Sequence, residues 1–197
     1  MTTPLVLIVT AYLAGSIASA IIVCRLLGLP DPREGGSGNP GATNVLRLGG
    51  KKAAALTLAG DVAKGLVPVL VANLLGLAPW VTGACAIAAF AGHLYPIFFG
   101  FKGGKGYATA LGVIAGLSIP TFVAVGLTWL AVAGIWRYSS LAALTSIALT
   151  PAYAWFVTGH IEWTIATVVI AVFVFVKHKA NIERLMSGTE SRIGQKA

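Results

Sequence analysis

Two glycine-rich segments carry the residue types that bind anions. The first, "SGNPGATN" at 37–44, exposes backbone N–H groups that can converge on an anion, and Arg47 follows it. The second, "FKGGKG" at 101–106, places Lys105 before an apolar run that would start a helix, so the helix N-terminus and the ammonium group together would hold a phosphate. The sequence therefore predicts two phosphate sites. In the first segment we expect the substrate-binding residues to be Gly38, Asn39 and Asn44.

A third polar segment, "VKHKANIERLMSGTE" at 176–190, follows the last apolar stretch. A basic tail that orients the protein and touches anionic lipid would account for its lysines. It would not account for Asn181, which lies three residues after His178 on the same helical face. Arg137, in the short segment "WRYSSLAAL", fits an interfacial anchor and a functional cation equally well.

Other polar residues have simpler interpretations. Lys102 is expected to extend its ammonium group to the membrane interface. His93, at the end of an apolar helix, is expected to be buried and to hold a neighbouring backbone. Asp61 and Lys64 are three residues apart inside an apolar span, where ionisable groups are usually functional, and we interpret them as a self-neutralising pair.

Several chemistries are excluded by what the sequence lacks. Cys24 and Cys85 lie in apolar segments, and neither a disulfide nor a metal site is indicated. The H-x-x-x-x-D pair of soluble-type acyltransferases is missing, and we regard the H-x-x-x-x-E spacing of His178 and Glu183 as coincidence. The "FKGGKG" tract is not a Walker A loop, and the pattern of CDP-alcohol phosphotransferases is absent.

The elements that must position these residues are membrane spans. The chain has 197 residues, of which 57% are hydrophobic and 10% charged, and its mean hydropathy is +0.85. So much apolar surface requires lipid as solvent. The first basic residue is Arg25, so the first apolar segment is a permanent span rather than a signal peptide.

The uncharged runs predict seven transmembrane helices in an all-α protein, at about 20 residues per crossing. Pro79 separates two crossings, the first of which would start near Ala53, and Pro120 would divide 106–136 into a hairpin of short spans. A single tilted helix over 106–136 is the alternative. The predicted spans are 4–24, about 53–78, 79–101, the two arms of 106–136, 138–161 and 163–176.

The distribution of positive charge predicts the orientation. With the N-terminus outside and the C-terminus in the cytoplasm, 13 of the 14 Lys and Arg residues lie on inner segments, and the outer turns carry none. The remaining one is Lys64, in the inner part of the second span. The inner basic residues are Arg25, Arg33, Arg47, Lys51, Lys52, Lys102, Lys105, Arg137, Lys177, Lys179, Arg184, Arg192 and Lys196.

Three motifs, in order and with the expected spacing, resemble one known family. "SGNPGATNVLR", "GHLYPIFFGFKGGKGYAT" and "KHKANIERLMSGTE" look like those of the bacterial PlsY-type glycerol-3-phosphate acyltransferases, and the resemblance covers essentially all of 1–197 as a single domain. It implies acyl transfer from acyl phosphate to the 1-hydroxyl of sn-glycerol 3-phosphate, giving lysophosphatidic acid and inorganic phosphate in phospholipid synthesis. It implies a multi-pass protein of the bacterial inner membrane with a cytoplasmic active site, in contact with lipid, without cofactor, metal or nucleic-acid partner, and it leaves chain-length preference and oligomeric state open.

The same resemblance assigns roles to individual residues. The glycines of the second motif match the acyl-phosphate site, and Glu190 matches a glutamate with a structural role. The catalytic positions are Ser37, Arg47, Lys105, His178 and Asn181; the matching glycines are Gly103, Gly104 and Gly106.

Two questions stay open at this point. An anion transporter would need polar groups near the bilayer midplane and usually paired repeats, whereas here polar groups crowd one face and no repeat is visible. In an acyltransferase the hydroxyl proton could go to a substrate phosphate oxygen, which we favour, or to neutral His178. Ser37 as an acylated nucleophile is less consistent with a donor that is already activated.

Overall fold

A computed structural model describes residues 2–195, and the regular secondary structure of that range is helical throughout. Four of its helices are individually long and apolar enough to cross a membrane, and two further bent helix pairs pass the same test. The protein is therefore an all-helical membrane protein. The helices are α1 (Thr2–Gly15), α2 (Ser19–Leu26), α3 (Ala42–Leu74), α4 (Pro79–Leu94), α5 (Tyr107–Leu117), α6 (Ile119–Trp136), α7 (Ser139–Thr158), α8 (Ile161–Lys177) and α9 (Lys179–Met186).

The described residues form two compact units that meet in sequence between Leu117 and Ser118. In the first unit α3 packs on α5 and α1 packs on α4, and in the second α7 packs on both α6 and α8. Small residues let these backbones approach closely: a Cβ on Gly112 of α5 would clash with the carbonyl oxygen of Val62 on α3.

Outward-facing positions carry large apolar side chains. Leu127 and Leu130 of α6 are each 61% exposed, and Phe156 of α7 is 84% exposed. Such surfaces are unfavourable in water, so they indicate that the helices face lipid.

The first predicted span is broken rather than continuous. α1 and α2 meet at a 44° bend across residues 16–18. At the break the carbonyl oxygen of Ile17 accepts the backbone N–H of Ser19 at 3.1 Å and the Lys64 ammonium at 2.9 Å. A buried cation therefore donates a hydrogen bond to the backbone where the helix is interrupted.

The second and third spans follow the prediction closely. α3 begins at Ala42 after the N-cap Gly41, and Gly50 interrupts it with a φ of 75° and a ψ of −172°. The sequence predicts a short helix from about Gly41 to 49–50, and the structure confirms it, although helical residues resume directly after Gly50. α4 begins at Pro79 as expected.

The predicted break at Pro120 is wrong by two residues. Ser118 is the extended residue, and its Oγ accepts a hydrogen bond from the Thr121 N–H at 3.3 Å. Pro120 lies in the first turn of α6, where a missing N–H costs nothing. A single helix over 106–136 is thereby excluded, but α5 has only 11 residues and is shorter than a crossing.

The last predicted span corresponds to α8, which ends at Lys177. α8 and α9 are bent by 62° at His178. Among the inner basic residues, Lys196 lies outside the described residues.

Candidate active site

The first glycine-rich segment is wrapped around the side chain of Asn44. This side chain is buried, and its Nδ2 donates to the carbonyl oxygens of Pro32 and Gly35 at 2.8 and 2.9 Å. Its Oδ1 accepts from the backbone N–H of Ser37 at 2.8 Å. Asn44, expected to contact substrate, thus has at least three backbone partners in the loop, and its contacts place Ser37.

Ser37 and Gly38 are exposed, and so is Arg47 on the first turns of α3, one turn after Asn44. Asn39 is partly buried. The exposed group is therefore a hydroxyl, a glycine backbone and a guanidinium, which are all donors suited to an anion.

An ion pair fastens the start of the same loop. Arg33 Nη2 lies 2.7 Å from Asp31 Oδ2, and its Nη1 lies 3.4 Å from the carbonyl oxygen of Phe99. The hydrogen bond from Arg33 holds the pKa of Asp31 below its ordinary value, against the opposite effect of burial. Asp31 is therefore a poor candidate for the general base.

The second glycine-rich segment runs directly into α5, as predicted. Gly106 has a φ of 87°, and the helix begins at Tyr107. Lys105 is partly buried beside the helix N-terminus. A cation, a glycine with a positive φ and the N-terminus of a helix are thus combined in one place, which is an arrangement suited to a phosphate.

The structure brings the two glycine-rich segments together at Gly104. A Cβ on this buried residue would lie 3.1 Å from the carbonyl oxygen of Pro40 in the first segment. On Gly103 a Cβ would clash with the carbonyl oxygen of His93. Only glycine fits at these two positions, and the contact joins the first motif to the second.

The predicted Asp61–Lys64 pair is confirmed, with Nζ 2.7 Å from Oδ1. The structure adds His93, whose Nδ1 lies 3.6 Å from the same carboxylate oxygen. His93 is buried as expected, but the sequence did not identify Asp61 as its neighbour. The signal that could have suggested it is a buried histidine and a buried carboxylate on adjacent spans.

The third motif is organised around Glu190. Its Oε1 accepts from Ser140 Oγ and from Asn181 Nδ2, both at 2.6 Å, and its Oε2 accepts from Arg184 Nε at 2.7 Å. Burial raises the pKa of Glu190, but these three hydrogen bonds outweigh it and hold the pKa below its ordinary value. The carboxylate therefore stays charged and holds α9 to the start of α7.

His178 is buried at the bend between α8 and α9. Its Nδ1 lies 2.8 Å from the carbonyl oxygen of Val174. A carbonyl oxygen can only accept, so Nδ1 carries the proton. In the neutral ring Nε2 is then the basic nitrogen.

Arg137 fastens the C-terminal tail. Its Nη2 donates to the carbonyl oxygen of Ile193 at 2.9 Å, and the Ile193 N–H donates to the carbonyl oxygen of Arg137 at 2.7 Å. These contacts favour a structural role over the functional one that the sequence left open.

The predicted site residues are thus distributed over both units. His178 and Asn181 belong to the second unit, and the remaining nine to the first. Across residues 2–195, no group of three or more His, Cys, Asp or Glu side chains could hold a metal ion.

Comparisons with known proteins identify the family. A family model described as glycerol-3-phosphate acyltransferase matches residues 5–188. Proteins named glycerol-3-phosphate acyltransferase from Methylococcus capsulatus and Thioalkalivibrio sulfidiphilus are 55% and 57% identical over 190 residues, which cover 96% of this chain and 96% and 94% of theirs.

Two solved structures are similar to the fold. Both are crystal structures of PlsY, an integral membrane glycerol 3-phosphate acyltransferase. The glycerol 3-phosphate form has a TM-score of 0.92 at 40% identity, and the lysophosphatidic acid form 0.88 at 38%. In each comparison the match covers 98% of this chain and 96% of the other.

Proposed function

The chain belongs to the glycerol-3-phosphate acyltransferase family, and from that premise we propose that it transfers an acyl group from acyl phosphate to the 1-hydroxyl of sn-glycerol 3-phosphate. The products would be lysophosphatidic acid and inorganic phosphate. Family membership favours this reaction over anion transport. We treat 1–197 as one acyltransferase domain.

The observation that carries the proposal is the contact between the two glycine-rich segments at Pro40 and Gly104. Each substrate brings one phosphate, and together they carry a charge of about −4. Their repulsion must be offset before the hydroxyl can reach the acyl carbon. Arg47, which follows the first segment, and Lys105 on the second are the cations that would provide that offset.

In the proposed reaction the 1-hydroxyl oxygen attacks the acyl carbonyl carbon directly. The new C–O ester bond forms as the bond between the acyl carbon and the phosphate oxygen breaks, and phosphate leaves with that electron pair. Gly38, Asn39 and Asn44 would shape the glycerol 3-phosphate loop. Backbone N–H groups at Gly103, Gly104 and Gly106 would hold the acyl phosphate.

The hydroxyl proton has two candidate acceptors. We favour a substrate phosphate oxygen as the acceptor. Ser37 and Asn181 would then orient phosphate, and His178 would supply either a hydrogen bond or a positive charge. The hydrogen bond from His178 Nδ1 to Val174 is compatible with both, since the neutral ring would accept at Nε2 and the protonated ring would donate from it.

The pH–rate profiles of the wild type and His178→Gln separate the two. If His178 is the base, the acidic limb disappears and kcat falls about 10²–10⁴-fold with binding intact. If the substrate is the base, a limb near the second phosphate pKa is retained in the variant.

We further propose seven crossings with the N-terminus outside and the C-terminus in the cytoplasm of a bacterial inner membrane. Four single helices and two bent helix pairs are long and apolar enough to cross a membrane, and these six candidate spans support most of this count. α5 would be the seventh segment, although it is short.

The experiment that tests the reaction supplies purified protein with glycerol 3-phosphate and compares palmitoyl phosphate with palmitoyl-CoA and acyl-ACP, following phosphate release and lysophosphatidic acid. Turnover is expected only with palmitoyl phosphate. Comparable turnover with a thioester would refute the proposed donor.

A further inference from the structure

A buried charge cluster that the proposed reaction does not use lies against the second glycine-rich segment. It consists of Asp61 and Lys64 on α3 and His93 near the end of α4, whose side chains are 3%, 5% and 5% exposed. Lys64 also donates to the carbonyl oxygen of Ile17 at the break between α1 and α2. The cluster therefore joins three parts of the first unit.

The imidazole of His93 is in contact with the glycine backbone. A Cβ on Gly104 would lie 2.7 Å from His93 Nε2 and 3.1 Å from its Cε1. Nδ1, on the other edge of the ring, faces Asp61 at 3.6 Å. The ring thus stands between the carboxylate and Gly104, while Gly103 rests on the carbonyl oxygen of His93 itself.

Stability alone does not account for such a cluster. A buried ion pair is often no more stabilising than an apolar pair of the same volume, because desolvation offsets the attraction. What a paired carboxylate does provide is a defined direction for the group it contacts. Here Lys64 neutralises Asp61, Asp61 orients the imidazole, and the imidazole limits how closely the Gly104 backbone can approach.

We propose that His93, oriented by Asp61 and Lys64, is a positioning residue that holds the Gly103–Gly104 backbone where its N–H groups bind the phosphate of the acyl donor. The inference rests on the proposed function, because it takes this segment as the acyl-phosphate site. His93 itself touches no reacting atom in this role.

The first test is steady-state kinetics of His93→Leu and His93→Gln in purified protein. His93→Leu is expected to raise KM for palmitoyl phosphate at least about 10-fold, with kcat and KM for glycerol 3-phosphate changed less than about 3-fold. His93→Gln keeps a polar group near the glycines and should restore most of the loss. An equal rise in both KM values, or a lower melting temperature with unchanged kinetics, would show a merely structural role.

The second test is a double-mutant cycle with Gly104→Ala. The added methyl group meets His93 Nε2, so in a His93→Ala background it gains room. Gly104→Ala should therefore raise KM for palmitoyl phosphate less in that background than in the wild type. Equal effects in both backgrounds would contradict the contact as the cause.

Thr82→Val is the matched control, three turns away on α4 and about 16 Å from His93 along the helix. Its hydroxyl is buried and has no hydrogen-bond partner within residues 2–195, so unchanged kinetics are expected.

Equilibrium dialysis of palmitoyl phosphate separates this inference from the proposed function. If the wild type does not turn over acyl phosphate but binds it, and His93→Leu weakens that binding, the reaction is wrong and the positioning role stands. If binding is equal in the two proteins, the positioning role is wrong.

Discussion

Arg47 and Lys105 are the cations that the proposed mechanism needs most. Arg47→Ala and Lys105→Ala should each leave a folded protein whose kcat/KM is at least about 100-fold lower, the scale of losing one pre-organised donor. Phosphate release from palmitoyl phosphate measures this. Lys102→Ala is the control, because this lysine is exposed and we expect it only to reach the interface. Near-normal kinetics in both variants would remove the two cations from the mechanism.

Glu190 accepts hydrogen bonds from Ser140, Asn181 and Arg184, which favours a structural role. Glu190→Gln turns one carboxylate oxygen into an amide donor facing the Arg184 N–H, and the variant should lose about 1–3 kcal/mol of stability. Thermal unfolding in detergent near pH 7 measures the loss. Glu183→Gln, an exposed change on α9, should be neutral.

This stability should also depend on pH. Because the folded pKa of Glu190 is depressed, its contribution is present above the ordinary glutamate pKa of about 4.3 and disappears as the pH falls through the lower folded value. The gap between wild type and Glu190→Gln should therefore narrow in acid. A gap that stays constant from pH 7 to pH 3 would contradict the assignment.

At the scale of elements, the break in α3 at Gly50 sets the direction of the short helix that carries Arg47. The backbone angles of Gly50 are ones that only glycine adopts without strain, and nothing lies within 4 Å of a Cβ built on it. Gly50→Ala should therefore act by straightening the break rather than by a clash, and should lower kcat/KM without unfolding the protein.

The matched control for Gly50→Ala is Gly126→Ala, a regular helical glycine of α6 with equally open space. That change should be neutral or stabilise by up to about 1 kcal/mol. Full activity of Gly50→Ala would mean that the direction of the short helix does not matter.

The sequence predicts the start or break of a helix well when its cause lies in neighbouring residues, and poorly when the cause is distant along the chain. Glycine and proline act on their own neighbours, so the start of α3, its break at Gly50 and the start of α4 could be predicted. The break at residues 16–18 could not, because the Lys64 ammonium that satisfies the Ile17 carbonyl is distant in sequence. The contact of His93 with Asp61 likewise depends on how α3 and α4 pack, which no periodicity gives.

The candidate site shows the same difference between features with a local cause and features that depend on the folded chain. Residue types and motif resemblance identified Ser37, Lys105 and His178 as candidates. Neither could show that the Asn44 side chain is occupied by the backbone of its own loop, since that depends on how the loop folds back from Pro32 to Ser37.

At the scale of the whole molecule, the exposed apolar side chains describe a membrane protein, and the proposed orientation places its basic segments on the inner side. Cations on the inner segments favour retention in the cytoplasm. They would also attract two anionic substrates to the side where the glycine-rich segments are expected. The proposed orientation therefore serves both insertion and binding.

Single-cysteine labelling in intact cells tests that orientation. Cysteines at Trp80 and Gly159 should react with an impermeant maleimide from outside, whereas those at Gly38 and Gly188 should react only after permeabilisation. All four positions are exposed, and the native Cys24 and Cys85 are buried, so background labelling should be low. Each variant must be recovered folded and monodisperse in detergent to count. If Gly38 were labelled from outside, the orientation would be inverted, and the phosphate-binding segments would face the medium instead of the cytoplasm.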